Sequence, residues 1–354
     1  MDIYKKWLIK LILTSVLLLS PILIGVMGYN YYIDPLWNFN HQNEYNDYQV
    51  GFDERQQKTN YITARPFDYD SLLLGTSRVT YMDQSQFQKN KVYNYSLSEM
   101  FIDEYSVYTD YAKKQKKGSF DKIYMELYFE SFKIGSSPYK EPSEILDNTL
   151  NPLYRFTSLF SYNTFERSRD NKKYSTDNYY EGFRSYNREN IASTIYKNPN
   201  IKGNFGEFKE RFEKSKSKED YPYDENYKEK LQNLVNENPE TDFIVFTDPM
   251  PASKLKTMLS DPLYWDLYER WIREMVDVFG VVYSFQTVNA YTTDEKYWFD
   301  SYHYYPNFGD KMIANLEGRE QDDSFRIIIT EENLEGFFVE LKEMIQSDEP
   351  LSSH

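Results

Sequence analysis

The feature that most constrains this chain is an apolar segment close to its N-terminus. From Leu11 to Gly28 no residue carries a charge, and lysines precede the segment. Such a segment is just long enough to cross the ~30 Å hydrocarbon core of a membrane as a single helix. Because basic residues mark the cytoplasmic side, residues 1–29 are expected to be a cytoplasmic stub and a transmembrane signal anchor, with residues 30–354 outside. A cleaved secretory signal is the alternative, although such signals have a shorter apolar core and an Ala-x-Ala-like exit.

Composition narrows the chemistry open to the exported part. The chain has no cysteine and 3 histidines, and its formal net charge is −15. Disulfides, thiolate metal sites and cysteine nucleophiles are therefore excluded, and little is left for histidine-rich metal sites. The acidic balance, without a basic stripe, argues against nucleic acid as a partner. We expect neither a cofactor nor a metal, because phosphate-loop, dinucleotide-loop, His-Glu-x-x-His and EF-hand motifs are missing.

Short apolar runs, separated by helical patterns, indicate the fold of the exported part. Near-continuous runs of this length predict buried parallel strands. They cover residues 71–74, 91–95, 122–128, 242–246 and 281–285. A stripe at helical spacing predicts a helix from Pro262 to Phe279, with Asp261 as its N-cap and Gly280 just past its end. Similar patterns occupy residues 228–235 and 332–345. Strands alternating with helices predict an α/β sandwich with a parallel sheet.

One stretch, residues 131–224, breaks this alternation. It is rich in polar residues and tyrosine, shows no strand-like run and is too long for a connecting loop. We therefore expect a mostly helical insertion or lid. Its aromatic side chains could stack on sugar rings, or could pack the insertion onto the main domain, which is the commoner role. They are Tyr179, Tyr180, Phe183 and Tyr186.

A candidate nucleophile follows the first strand. Gly75 permits a tight turn, and Ser77 is then presented at the start of a helix, where N–H groups and the positive helix end favour a developing negative charge. Serines at such turns are also common N-caps, which is the alternative role. Arg78 could meet an anionic or carbonyl group of a substrate, or form an ion pair on a helix surface.

A candidate base lies near the C-terminus. Asp300 precedes His303 by three residues, in a loop before an apolar helix. A carboxylate placed there can accept the Nδ1–H of the ring and leave Nε2 free to take a proton from a serine. His303 could instead be a surface histidine with a chance acidic neighbour. His41 lies just beyond the membrane segment and His354 is the last residue, so an imidazole base is expected at His303.

These two motifs together resemble a known family. Gly75-Thr76-Ser77-Arg78 and Asp300-Ser301-Tyr302-His303 are similar to blocks I and V of the SGNH (GDSL-type) hydrolase superfamily. The chain is most similar to the membrane-anchored branch that accompanies membrane-bound O-acyltransferases in polysaccharide O-acetylation and, more distantly, teichoic-acid D-alanylation. The stretches 32–35, 53–58 and 67–70 are also typical of that branch. The resemblance spans most of residues 1–130 and 240–317.

The resemblance implies a three-layer α/β/α sandwich with a flavodoxin-like parallel sheet and a Ser77–His303–Asp300 triad. In that scheme Ser77 forms the acyl-enzyme, His303 is general base and acid, and Asp300 orients the ring. Thr76 replaces a frequent Asp, and the glycine of block II and the Gly-x-Asn-Asp of block III are missing. Those blocks supply oxyanion donors, so Ser96 or a neighbouring backbone N–H is the candidate substitute.

The expected function is therefore that of a serine esterase or O-acyltransferase. It would move a small acyl group, for which acetyl is the expectation, to or from hydroxyls of a cell-envelope polysaccharide. A membrane-bound O-acyltransferase is the expected partner. The alternative is a protein without catalysis that binds glycan or acts as a scaffold in a cell-surface acylation complex.

Overall fold

The computed structural model describes residues 2–51, 53–135, 138–177, 181–215 and 222–347. The chain divides into two compact units, each built from two stretches. The first unit is Met1–Pro66 with Ser143–Glu189, and the second is Phe67–Pro142 with Asn190–His354. Residues 131–224, where the sequence predicts an insertion, contribute to both units.

The elements are numbered in chain order. Among the described residues the α-helices are α1 (Asp2–Ile33), α2 (Glu54–Ala64), α3 (Ile102–Lys116), α4 (Pro142–Leu150), α5 (Tyr154–Thr157), α6 (Tyr162–Asp177), α7 (Ile201–Lys214), α8 (Tyr227–Asn236), α9 (Ala252–Leu259), α10 (Pro262–Phe279), α11 (Pro306–Leu316) and α12 (Leu334–Gln346). The strands are β1 (Tyr48–Val50), β2 (Ser71–Leu74), β3 (Val92–Asn94), β4 (Lys122–Leu127), β5 (Ser185–Asn187), β6 (Ala192–Ser193), β7 (Asp242–Thr247), β8 (Val281–Ser284) and β9 (Ile327–Thr330). Short 3₁₀ helices lie at Val79–Tyr81, Gln84–Gln86, Ser158–Phe160 and Glu295–Tyr297.

A mixed, largely parallel sheet organises the second unit. Its 6 strands follow the order β3-β2-β4-β7-β8-β9. Neighbours are parallel from β3 to β8, and β9 lies antiparallel to β8. All of β2 is buried, as expected for an apolar run covered on both faces. The predicted α/β class and its parallel strands are confirmed; the antiparallel edge strand β9 is an addition.

Helix α10 illustrates why the elements of this unit begin and end where they do. A side-chain oxygen of Asp261 accepts the N–H of Leu263 at 3.0 Å, which satisfies one of the free donors of the first turn. Gly280 follows the last turn with φ +74°, a conformation that L side chains rarely adopt. Trp271 and Tyr264 lie on the buried stripe. The predicted helix and both of its caps are confirmed.

The first unit contains α1, which is long and apolar enough to span a membrane. Its C-terminal turns pack on residues of the same unit: Asn30 Nδ2 donates to Leu159 O at 2.8 Å, and Tyr29 Oη donates to Ser168 O at 3.3 Å. β1 pairs antiparallel with β5, so that Gln49 lies opposite Tyr186.

The aromatic side chains that we expected on the insertion differ in their surroundings. Tyr186 is buried and meets Trp37 edge to face at 5.7 Å, which makes it part of the core of the first unit. Phe183 is 40% exposed and packs against Tyr174. Tyr179 and Tyr180 lie outside the described residues.

Candidate active site

Ser77 lies in the turn after β2, at the carboxyl end of the parallel strands, where open α/β sheets bind their ligands. The turn begins at Gly75. A Cβ atom there would lie 2.6 Å from Val79 Cγ2 and 2.8 Å from Glu126 Oε2. Both distances are far shorter than ordinary contacts between such atoms, so the close approach of Glu126, rather than a left-handed φ, requires glycine here.

The element after Ser77 is the 3₁₀ helix Val79–Tyr81, which is shorter than the helix that the sequence predicts. The Val79 N–H donates to Thr76 O at 3.1 Å and closes the turn that contains Ser77, and the 3₁₀ helix continues from it with the Tyr81 N–H donating to Arg78 O at 3.1 Å. A helix of three residues has only a small dipole. Stabilisation of an oxyanion in this turn therefore depends on individual N–H groups rather than on a helix end.

The three residues of the predicted triad lie together, all in the second unit. Ser77 Oγ is 2.8 Å from His303 Nε2, and His303 Nδ1 is 2.8 Å from Asp300 Oδ2. The side chains of His303 and Asp300 are 23% and 28% exposed, so the ring is reachable from solvent. Both distances fall within the range of hydrogen bonds between a nucleophile, a base and its orienting carboxylate.

Asp300 holds its own loop as well as the imidazole. Its Oδ1 accepts the backbone N–H groups of Tyr302 and His303, each at 2.7 Å. Burial acts to raise the pKa of Asp300, but the hydrogen bond and charge of His303 and these two N–H groups outweigh it and leave the pKa below its ordinary value. The carboxylate therefore stays ionised at neutral pH and keeps the ring in one orientation.

The loop around His303 is closed and packed. Phe299 N–H donates to His303 O at 3.1 Å, and Tyr305 N–H donates to Tyr297 O at 2.9 Å. The Phe299 ring stacks parallel to the imidazole at 5.5 Å between ring centres, and the Tyr196 ring stacks on Phe299 at 4.8 Å. These contacts restrict the imidazole to the position in which it meets the serine.

Behind the serine lies a buried cluster of charged side chains that is not evident from the sequence. Arg78 Nε is 3.2 Å from Glu126 Oε1, and Arg78 Nη1 is 2.9 Å from Asp248 Oδ2; both carboxylates are fully buried. Burial acts to lower the pKa of Arg78, but Asp248 and Glu126 hold it above its ordinary value, so the guanidinium stays charged. Arg78 thus forms a buried pair with two carboxylates rather than an ion pair on a helix surface.

Glu126 also reaches the nucleophile turn directly. Its Oε2 accepts the Thr76 N–H at 2.5 Å, next to Ser77 in the chain. Burial raises the pKa of Glu126 above its ordinary value, although the charge of Arg78 acts to lower it. The Thr76 N–H and the Arg78 Nε–H each donate to a different oxygen of Glu126. A protonated carboxyl would carry its own proton on one of these oxygens, so the ionised carboxylate is the form that accepts both bonds. Glu126 lies near the end of β4, and Asp248 directly follows β7. Both therefore lie at the carboxyl ends of central strands, and this position is the sequence feature that indicates them as site residues.

Two backbone N–H groups lie beside the Ser77 side chain. In the described part of the chain, the N–H groups of Ser77 and Arg78 have no hydrogen-bond acceptor, whereas that of Thr76 is taken by Glu126. Paired free N–H groups beside a serine Oγ are the usual donors to an acyl-transfer oxyanion.

Ser96, in contrast, is not brought to the serine. It is fully buried, and its N–H donates to Asn94 Oδ1 at 3.1 Å, with its hydroxyl on the same oxygen. Asn94 Nδ2 in turn donates to Val79 O and Met82 O, each at 2.9 Å. Ser96 therefore supports the residue that holds the 3₁₀ turn in place.

The triad opens into a pocket of about 570 Å³. Ser77, Arg78 and His303 line it together with aromatic rings and charged groups. These others include Phe101, Tyr128, Phe129, Phe208, Phe212, Tyr302, Glu99, Glu130, Arg211 and Lys254. Its size and its aromatic walls are those of a small-molecule site.

Lys254 is the most perturbed basic group in this pocket. It is 4% exposed, and its Nζ lies 3.5 Å from the centre of the Tyr302 ring. Burial, followed by the charge of Arg78, lowers the pKa of Lys254 to about 7. Its charge therefore changes close to neutral pH.

Comparisons with known proteins identify no relative: no protein-family model, no curated protein and no solved structure matches the chain. In the described part of the chain, no group of three or more His, Asp or Glu side chains could hold a metal ion. Functional assignment therefore depends on the geometry around Ser77.

Proposed function

We propose that this chain is a membrane-anchored serine esterase or O-acyltransferase of the SGNH type, with a three-layer α/β/α catalytic domain. It would move an acetyl or similarly small acyl group to or from a hydroxyl of a cell-envelope polysaccharide. The observation that carries the proposal is the continuous hydrogen-bonded chain from Ser77 Oγ through His303 to Asp300.

In the first half-reaction, Ser77 Oγ attacks the carbonyl carbon of the donor ester while its proton passes to His303 Nε2. The tetrahedral oxyanion would accept hydrogen bonds from the Ser77 and Arg78 N–H groups, which have no other acceptor among the described residues. The bond to the donor alcohol then breaks, and that oxygen takes the proton from His303. The product is acyl-Ser77 and a free alcohol.

In the second half-reaction, an acceptor hydroxyl gives its proton to His303 and attacks the acyl-Ser77 carbonyl. When the bond to Ser77 breaks, the serine recovers its proton from His303. A sugar hydroxyl as acceptor gives transfer, and water gives hydrolysis. Aromatic walls at Tyr302, Phe208 and Phe212 favour a sugar ring in this place.

The helix α1 determines on which side of the membrane this reaction would take place. We propose that α1 is an uncleaved single-pass anchor with its N-terminus in the cytoplasm, so that the pocket faces the cell envelope. Its length and apolar character support this assignment. A membrane-bound O-acyltransferase that delivers the acyl group across the membrane would be the partner of such a protein.

A fluorophosphonate probe tests the nucleophile. Full-length protein in detergent is expected to be labelled covalently, and Ser77→Ala is expected to lose all labelling. His303→Ala should lose most of it. Ser85→Ala, at an exposed serine of the same unit, is the matched control and should label like the wild type. Wild-type labelling no stronger than that of Ser77→Ala would overturn the proposal.

A cellular assay separates catalysis from glycan binding. If Ser77→Ala and His303→Ala abolish acylation of the surface polysaccharide while the protein is present at normal levels, the enzyme proposal is supported. If both variants keep acylation, whereas Tyr302→Ala or Phe208→Ala abolishes it, the chain acts by binding glycan or as a scaffold, and the enzyme proposal fails.

A further inference from the structure

Outside α1, four exposed apolar side chains of the first unit lie in one short stretch. Leu150, Leu153, Phe156 and Phe160 are 64%, 63%, 44% and 50% exposed. They lie at spacings of three or four residues from the last residue of α4, across the turn that precedes α5, to the 3₁₀ helix that follows it. We call these four side chains the apolar ridge.

The ridge reverses the usual pattern of a surface helix. Ser158 and Leu159, between Phe156 and Phe160, are buried at 7% and 5% exposure. Asn38 Nδ2 donates to Ser158 Oγ at 3.1 Å, so this inner face is already occupied by the first unit itself. The face turned outward is therefore the apolar one, although a surface helix in water carries its polar residues there.

The height of the ridge along α1 follows from a hydrogen bond. Lys10 and Asn30 are about 30 Å apart along the helix at roughly 1.5 Å per residue, close to the thickness of a hydrocarbon core. Asn30 Nδ2 donates to Leu159 O, so the 3₁₀ helix Ser158–Phe160 lies at the level of Asn30. The ridge is thus level with the point at which a spanning α1 leaves the membrane.

Aromatic side chains of α1 lie at the same level. Tyr31 and Tyr32 are 48% and 45% exposed, and Tyr29 packs against Phe165 of α6 at 5.7 Å between ring centres. Tyrosines are enriched at the headgroup level, where a ring meets both hydrocarbon and water. The ridge and these tyrosines are parts of the same unit.

We propose that the apolar ridge inserts into the lipid leaflet nearest the folded units and forms a second membrane contact beside α1. A helix lying in the interface buries its apolar face ~5–10 Å into the boundary between headgroups and acyl chains. Two contacts fix the rotation of the first unit about α1, which a single helix leaves free. This inference depends on the proposal that α1 spans a membrane but not on chemistry at Ser77.

The absence of native cysteine makes a site-specific test direct, because one introduced thiol takes one label. Full-length Phe156→Cys and Phe160→Cys are labelled with an environment-sensitive fluorophore and reconstituted into vesicles of phosphatidylcholine and phosphatidylglycerol. The vesicles carry nitroxide either near the headgroup or near the bilayer centre. Leu17→Cys, on the exposed face of α1, reports the spanning helix. Val339→Cys, 60% exposed in the second unit, is the matched control for an exposed apolar site.

The expected result is strong quenching of both ridge labels by the shallow nitroxide, weaker quenching by the deep one, and none at Val339→Cys. Ridge labels quenched no more than Val339→Cys would overturn the inference, as would quenching by the deep nitroxide alone. Ridge labels that are unquenched in these vesicles but shielded in native membranes would also overturn it, in favour of a protein partner. If Leu17→Cys is not quenched by the deep nitroxide, the anchor proposal itself fails.

Discussion

Glu126 offers the sharpest test of how the nucleophile turn is held. In Glu126→Gln the side chain keeps its shape but has one oxygen and one NH₂ group. The wild-type carboxylate accepts the Thr76 N–H on one oxygen and Arg78 Nε on the other. Whichever way the amide is turned, one of these donors faces another donor. Arg78 keeps only Asp248, at 2.9 Å, as its counter-charge.

The cost follows from those two losses. An unpaired buried donor costs ~1–3 kcal/mol, and removing one partner of a buried ion pair costs ~3–5 kcal/mol. Because Asp248 still pairs Arg78, we expect a loss of about 3 kcal/mol in the free energy of unfolding of the second unit. At ~2–4 °C per kcal/mol for a unit of this size, Tm falls by roughly 6–12 °C.

Differential scanning calorimetry of the full-length protein in detergent measures the change in the transition of the second unit. The control is Glu335→Gln, which removes a surface pair with Arg273 at a carboxylate that is 78% exposed. Surface pairs contribute ~0–1 kcal/mol, so the control should melt close to the wild type. A Glu126→Gln protein that melts together with the control would refute the view that Glu126 anchors the turn.

Three further predictions concern the same site. Gly75→Ala places a methyl group 2.8 Å from Glu126 Oε2, so fluorophosphonate labelling of Ser77 should slow at least tenfold, whereas Gly118→Ala, with open space around it, should not change it. Asp300→Asn leaves the imidazole without its acceptor, so the labelling rate should fall by ~10³–10⁴-fold at nearly unchanged Tm, as in related triads; a fall below tenfold would contradict the role of Asp300. Lys254 has a folded pKa of about 7 against 10.5 in the unfolded chain, so unfolding takes up a proton between these values and stability rises with pH there. Lys254→Met should therefore show a smaller rise in Tm from pH 7 to pH 9 than the wild type, and an equal rise would refute the assignment.

The sequence predicts those parts of the fold that are local. Five apolar runs become β2, β3, β4, β7 and β8, and α10 has the predicted caps, because run length, Asp261 and Gly280 act within a few residues of chain. The strand β9 was not predicted, although its three consecutive isoleucines carry the signal. The division of the chain into two units depends on contacts between distant stretches, which periodicity does not contain.

The residues of the site likewise divide into those that the sequence indicates and those that only the folded structure brings together. Ser77 could be proposed because it follows Gly75 in the turn after an apolar run, His303 because histidine is scarce, and Asp300 because it is near His303 in the chain. Glu126 and Asp248 are two among 56 acidic residues, and only the packing of strand ends against Arg78 distinguishes them. Ser96 has a suitable residue type, but its hydroxyl is already engaged by Asn94. Composition therefore identifies a site only where a residue type is rare.

The charges around the serine also restrict the substrate. Arg78 is balanced by two carboxylates within 3.2 Å, and Lys254 loses its proton close to neutral pH. The groups behind Ser77 thus provide no surplus positive charge to capture an anion, and a phosphodiester brought to this serine would approach Glu126 and Asp248. A neutral ester suits the same surroundings, since negative charge then appears only in the oxyanion. In the proposed reaction the N–H groups of Ser77 and Arg78 would stabilise that charge without the cost of desolvating a second cation. We therefore propose a neutral acylated sugar as the substrate, in keeping with this site and with a chain of net charge −15.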